Sequence, residues 1–109
     1  SHAVAAGNML FVSGQLGLNP DGSGLCAGGI EEESRQALSN LRAVLTDAGS
    51  GLEHVVKMTV YLSNMDDFAK FNAVYKDFFS SEFPARTCIQ AGGLPLGANV
   101  EVEAIALLP

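Results

Sequence analysis

Apolar and polar positions alternate along this chain with two different periods, and the switches between them mark out its elements. Residues 9–13, Met-Leu-Phe-Val-Ser, form a short apolar run between Gly7-Asn8 and Gly14, the pattern of a strand. Asn19-Pro20-Asp21-Gly22 then places Pro and Gly where a type I turn wants them, and Ser23-Gly24 follows, so a hairpin or loop tip is expected. Over residues 30–48 the period changes. Ala37, Leu38, Leu41, Val44, Leu45 and Ala48 recur at three and four, which is one face of a helix, and Gly49 and Gly51 stop it. Glu31, Glu32 and Glu33 stand at the positive end of that helix. Three consecutive helical residues point in three directions, so the triplet reads as a dipole complement and solvated face rather than a metal cluster.

Residues 54–62 are rich in β-branched side chains and predict a central strand. Alternation sets Val56, Met58, Val60 and Leu62 on one face and Val55, Lys57, Thr59 and Tyr61 on the other. His54, at its entry, reads as a surface or capping residue. Ser63 or Asn64 can cap a second helix with Asp66 and Asp67 in its first turn. Phe68, Phe71, Tyr75, Phe78 and Phe79 then form an aromatic stripe at helical spacing, read as core. Two further strands, Ala85–Gln90 and Val100–Leu107, are joined by a Gly- and Pro-rich connection over 92–99. The order β(β)αβαββ, without repeats or a linker, predicts a single α+β domain over residues 1–109. A mixed sheet in two layers with both helices on one face is the simplest arrangement. Ile89, Ile105, Leu107, Val55 and Tyr61 then fall on the other face, which calls for a partner.

Composition reaches the same expectation independently. The 109 residues are 48% hydrophobic but only 17% charged, against about 25% charged in typical soluble domains. A lone domain of this size buries only about two-thirds of the surface its unfolded chain exposes, so an oligomer is expected. Twelve acidic against 6 basic residues give a net charge of −6. The cations Arg35, Arg42, Lys57, Lys70, Lys76 and Arg86 are dispersed, which leaves no basic stripe for a phosphate backbone and argues against nucleic acid. No apolar run approaches the ~18 residues of a membrane span, and none suits a signal peptide. Cys26, Cys88, His2 and His54 cannot supply a standard structural zinc site, and reduced intracellular thiols are the default reading. The segment from Gly22 to Ala27 matches G-x-G-x-x-A, but a turn precedes it where a dinucleotide site needs a buried strand. The start at Ser1 rather than Met reads as a processed or truncated product.

The chemistry concentrates on the last two strands. Neither histidine has the neighbours of a Ser-His-Asp or Cys-His system. Arg86 shares a face with Cys88 and Gln90, while Glu101 and Glu103 share a face of the final strand. If these strands pair as neighbours, Arg86 can lie near Glu101 or Glu103. An arginine and a carboxylate on otherwise apolar strands need a reason to be there. An ion pair at a subunit interface accounts for them as well as a catalytic pair does. In the catalytic reading the guanidinium fork binds a substrate carboxylate and the carboxylate orients or deprotonates water, which suits hydrolysis of a small anionic acid. Cys88 lies on Arg86's face but has no neighbouring base, and reads as a small, partly buried residue whose backbone amide matters more than its sulfur.

Several segments together resemble a known family. These are residues 7–15 (Gly-Asn-Met-Leu-Phe-Val-Ser-Gly-Gln), 35–41 (Arg-Gln-Ala-Leu-Ser-Asn-Leu), 71–75 (Phe-Asn-Ala-Val-Tyr), and above all Pro84-Ala85-Arg86-Thr87-Cys88 with Val100-Glu101-Val102-Glu103-Ala104. Nearly the whole chain is similar to the RidA/YjgF/YER057c/UK114 family of reactive-intermediate deaminases. The resemblance implies a chorismate-mutase-like fold and a homotrimer with active sites in the clefts between subunits. It implies hydrolysis of enamines and imines such as 2-aminoacrylate and 2-aminocrotonate to 2-keto acids and ammonia, without a cofactor, in the cytoplasm or mitochondrion. By the same resemblance Arg86 binds the carboxylate and Glu101, rather than Glu103, positions the water. The backbone of Cys88 and Gly14 hydrogen-bonds substrate or water, and Asn72 and Ser13 line the pocket. Two departures stand out: a Tyr usual in the family falls ahead of Ser1, and Thr87 stands where Ser is more usual. The family is also named for endoribonuclease and translation-inhibitor activity, which the dispersed cations disfavour. A non-catalytic trimer that binds small carboxylates, or shields unfolded chains, is a third class.

Overall fold

The computed structural model describes residues 2–109, so the processing reading of Ser1 lies outside it. Five strands, β1 (Ala3–Ala6), β2 (Met9–Leu16), β3 (Val55–Leu62), β4 (Ala85–Gln90) and β5 (Val100–Leu107), form one sheet in the order β1-β2-β5-β3-β4. All neighbours are antiparallel except β3 and β4, which run parallel. Two helices, α1 (Ile30–Asp47) and α2 (Phe68–Phe78), provide the crossovers on either side of β3. This is the mixed two-layer α+β arrangement that the sequence pattern predicts.

The first strand has a weak signal because Ala-Val-Ala-Ala carries little β-propensity; it forms by pairing with β2 across the tight turn at Gly7, whose φ is +61°. The partner of β2 in the hairpin therefore precedes it. Across the turn at residues 19–24 the chain makes only the single bridge Leu18–Leu25.

The core lies between the helices and one sheet face. Ala37, Leu38, Leu41 and Leu45 of α1 and Phe71, Val74 and Tyr75 of α2 are buried against Leu10, Val12, Met58, Val60, Val100 and Val102. Gly49, at φ +86°, ends α1: its N–H donates to the Thr46 carbonyl at 3.1 Å and the Ser50 N–H reaches the Leu45 carbonyl at 2.8 Å. Asn64 takes the capping role expected before α2, its side chain accepting from the Asp66 N–H at 2.9 Å at the head of a short 3₁₀ turn.

Two expectations are corrected. Val55 faces the core rather than the open face, because the register slips between Val55 and Lys57 and turns Val56 outward instead. The acidic triplet is not uniformly solvated either. Glu33 is buried, and its carboxylate accepts the Asn99 N–H at 2.7 Å, Asn99 Nδ2 at 2.9 Å and the Val100 N–H at 3.3 Å. It pins the start of β5 to α1, a long-range partner that sequence spacing along one helix cannot reveal.

The sheet's other face is uncovered. Val4, Phe11, Ile89 and Leu107 on it are 59%, 44%, 47% and 38% exposed, an apolar row that neither helix covers.

Candidate functional site

The strand order decides how the two candidate residues relate. The strand β3 runs between β4 and β5, so Arg86 and Glu101 are not on neighbouring strands. Met58 pairs with both Arg86 and Ala104, and Tyr61 pairs with both Ile89 and Glu101. Residues directly opposite share a sheet face. Arg86 therefore belongs with buried Met58 and Ala104 on the helix side, and Glu101 with Tyr61 and Ile89 on the open side. Two strand spacings, about 9.5 Å, and the sheet itself separate them within one chain. The neighbouring-strand contact is thus replaced by two half-sites.

The first half-site is built from α2 and the edge strand β4. Arg86, half-buried, donates from Nη1 to Asn72 Oδ1 at 2.7 Å. Its Cζ lies 4.8 Å from the Tyr75 ring centroid and 5.6 Å from that of Phe68. A hollow of about 390 Å³ opens here, lined by Asn72, Tyr75, Lys76, Phe83, Pro84 and Arg86. Among the described residues no Asp or Glu lies within ion-pair distance of Arg86. Cys88, two residues on along the same face, has its thiol pushed up by burial, with Arg86 pulling the other way. The sulfur is thereby kept protonated, which disfavours a thiolate nucleophile.

The second half-site is built around an irregularity in β2. The register with β5 slips between Val12 and Gln15, so Ser13 and Gly14 together oppose Glu103. This β-bulge turns both outward and returns Gln15 to the core side opposite Val102. Gly14 then sits directly beneath Glu101: a Cβ there would come within 2.1 Å of Glu101 Oε2. Ser13, Gly14 and Glu101 line a shallow hollow of about 800 Å³ with Asn40 and Pro95. Burial holds the Glu101 carboxyl above the usual carboxylate range, and the charge of Glu103 adds to the effect. Glu103 itself accepts a short hydrogen bond from the Tyr61 hydroxyl, which raises the tyrosine's own pKa.

One half-site offers a guanidinium with no carboxylate partner among the described residues, and the other a carboxylate packed over Gly14. No group of three or more His, Cys, Asp or Glu side chains capable of holding a metal occurs among the described residues. The aromatic stripe reads as core in the sequence, which holds for Tyr75, 5% exposed, but not for Phe68, 37% exposed, and helical spacing alone does not show that both rings lie against Arg86. The available signal was an asparagine, Asn72, set within the stripe at the same helical spacing.

Comparison with known proteins supplies the lineage. The endoribonuclease L-PSP family model matches residues 1–108. The chain belongs to this family. It is 46% identical over 107 residues to a 2-iminobutanoate/2-iminopropanoate deaminase of Bos taurus, covering 98% of this chain and 78% of that protein. A relative from Drosophila melanogaster, the RutC family protein UK114, is 48% identical over 98% of this chain and 78% of its own length. Among solved structures, E. coli TdcF with bound serine superposes with a TM-score of 0.91 at 36% identity, over 97% of this chain and 85% of that one. The RidA/UK114 resemblance of the sequence and the chorismate-mutase-like fold of these L-PSP proteins are thus both found. Among the described residues no helix is long and apolar enough to cross a membrane.

Proposed function

We propose that this L-PSP family chain hydrolyses small imines and enamines that bear a carboxylate, of the 2-aminocrotonate and 2-aminoacrylate type, to 2-keto acids and ammonia. The observation that carries this reading is Arg86, a half-buried guanidinium lining a hollow, with Nη1 fixed by Asn72 and no Asp or Glu among the described residues within ion-pair distance of it. Such a fork suits the carboxylate of a small acid. The relatives named 2-iminobutanoate/2-iminopropanoate deaminase support the reaction, and the serine in TdcF supports a small carboxylate as the ligand class.

In this reading the site forms between subunits of a homotrimer. Arg86 and Glu101 leave one chain from opposite sheet faces, so a shared substrate needs them from two copies, and the apolar open face supplies the surface for association. Arg86 holds the substrate carboxylate while Glu101, its basicity raised by burial, takes a proton from water. The water oxygen bonds to the C=N carbon as the π pair moves to nitrogen. The proton held by Glu101 passes to nitrogen to complete the carbinolamine, whose hydroxyl proton then travels by way of Glu101 to nitrogen as the C=O bond forms and the C–N bond breaks, releasing ammonia. Water is the only co-reactant and no cofactor takes part. Gly14 and the Cys88 backbone contribute hydrogen bonds, and Ser13 and Asn72 line the pocket. Two free thiols, Cys26 and Cys88, suit a cytoplasmic or mitochondrial setting.

The test is a threonine dehydratase reaction with and without the protein, following loss of the imine. Acceleration that disappears in Arg86→Ala supports the proposal; no acceleration, or full activity in Arg86→Ala, ends it. RNA cleavage, the activity in the family's name, is the competing reading. A purified sample that degrades RNA, and ceases to do so when Glu101 is replaced, would favour it.

A further inference from the structure

One face of α2 is devoted to Arg86. Phe68, Asn72 and Tyr75 recur at helical positions i, i+4 and i+7, and all three reach the guanidinium. Tyr75 is the fixed wall. It is 5% exposed, its ring stands 6.3 Å from Phe83 in a stacked arrangement, and Phe79 and Phe71 flank it at 4.7 and 5.7 Å. Its buried hydroxyl has no hydrogen-bond partner among the described residues, so the ring rather than the oxygen accounts for its placement. Phe68 is the open flank, 37% exposed.

A half-buried arginine is ordinarily compensated by a carboxylate. Twelve carboxylates are available in this chain, yet none pairs with Arg86 among the described residues. Ring faces attract the cation through their quadrupole and consume none of its N–H donors. A carboxylate partner would occupy the donors and repel an anionic ligand. We infer that Phe68 and Tyr75 are positioning residues, an aromatic cradle that compensates the charge of Arg86 while leaving the N–H donors not taken by Asn72 to the carboxylate of a small acid. This inference rests on the carboxylate-binding role of Arg86 proposed above and adds to it the side chains that hold the fork in readiness.

The experiment measures 2-ketobutyrate affinity by calorimetry and imine hydrolysis in the dehydratase assay on the same intact variants. Wild type and Arg86→Ala come first. If wild type does not bind, or Arg86→Ala binds equally well, the carboxylate reading fails and takes the cradle with it. If Arg86 is required, Phe68→Leu decides. It keeps apolar volume at an exposed position but removes the ring, and we expect the 2-ketobutyrate Kd to rise about fivefold, with unchanged melting temperature and a larger effect on KM than on kcat. Phe68→Tyr restores the ring and is expected to restore affinity. Phe78→Leu is the control, since it removes an equivalent contact on the same helix, where Arg42 Cζ lies 5.1 Å from the Phe78 ring, away from the site. Wild-type affinity in Phe68→Leu, or an equal loss in Phe78→Leu, overturns the inference, as does failure of Phe68→Tyr to recover binding.

Discussion

Arg86 and Glu101 stand on opposite faces of one sheet, with β3 between their strands. If they serve one reaction, they do so from different copies of the chain. Arg86→Ala and Glu101→Ala should each be inactive alone, the latter by roughly 10²–10⁴-fold. Equal amounts of the two, unfolded together and reassembled at random, should regain about a quarter of wild-type activity, the share of interfaces that receive both intact groups. No recovery would place the two groups' action within one chain or in separate reactions.

Gly14 leaves room for the Glu101 carboxylate rather than providing a special backbone conformation. A Cβ at this position overlaps Glu101 Oε2 at 2.1 Å. Gly14→Ala should therefore displace the carboxylate and lower kcat/KM by about a hundredfold, while the melting temperature changes little. Steady-state kinetics beside a thermal melt checks both halves of the expectation.

The Glu33 clamp is a stability element. Glu33→Ala leaves the Asn99 and Val100 N–H groups without their acceptor in a buried setting and should cost about 2–4 kcal/mol. Glu33→Gln keeps an acceptor oxygen and should cost less. Urea unfolding at unchanged m-value measures the difference.

Glu101 links pH to both rate and stability. Its native pKa is raised above the ordinary value of 4.5, so the native state holds its proton to a higher pH than the unfolded chain does. Between the two values the native state binds more protons, and stability falls as pH rises through that window. Glu101→Gln should therefore melt higher than wild type at neutral pH, with the advantage vanishing below about pH 4, where both states are protonated. The rate should fall on acidification through a pKa above the usual carboxylate range, because the base form is the active one.

The Cys88 thiol is held protonated by burial. Cys88→Ala should retain most of the imine-hydrolysing activity, and alkylation kinetics at neutral pH should be slow. Loss of turnover in Cys88→Ala with the fold intact would give the sulfur a chemical role.

Strong periodicity made α1, β3 and β5 readable from the chain, and the charge deficit with apolar residues on both sheet faces pointed to association. Arg86 and Glu101 stood out because charge is scarce on such strands. Their relation was not readable, since strand order is a tertiary property and an intervening β3 leaves no mark on the spacing between residues 86 and 101. Val55 and Gly14 were obscured for a related reason. Each lies at or beside a slip in strand register, and strict alternation fails there. Glu33 looked like one of three equivalent helix-start acids; only the return of residue 99 to its side distinguished it.

The slip in β2 also changes what kind of mutation this protein can tolerate. Upstream of it Val12 faces the core, and downstream Gln15 does so three residues later, an odd interval that a regular strand would not permit. Removing one residue at 13 or 14 would leave a single residue opposite Glu103 and restore the even count with Gln15 still opposite Val102, so the pairing would survive but the bulge that turns two residues outward beneath Glu101 would not. The core-facing side chains would keep their places, while the backbone under Glu101 would change course. Residue count, a property carried by no single side chain, is therefore a requirement of the surroundings of Glu101 rather than of the sheet: a one-residue deletion here should leave a folded chain in which that carboxylate is displaced.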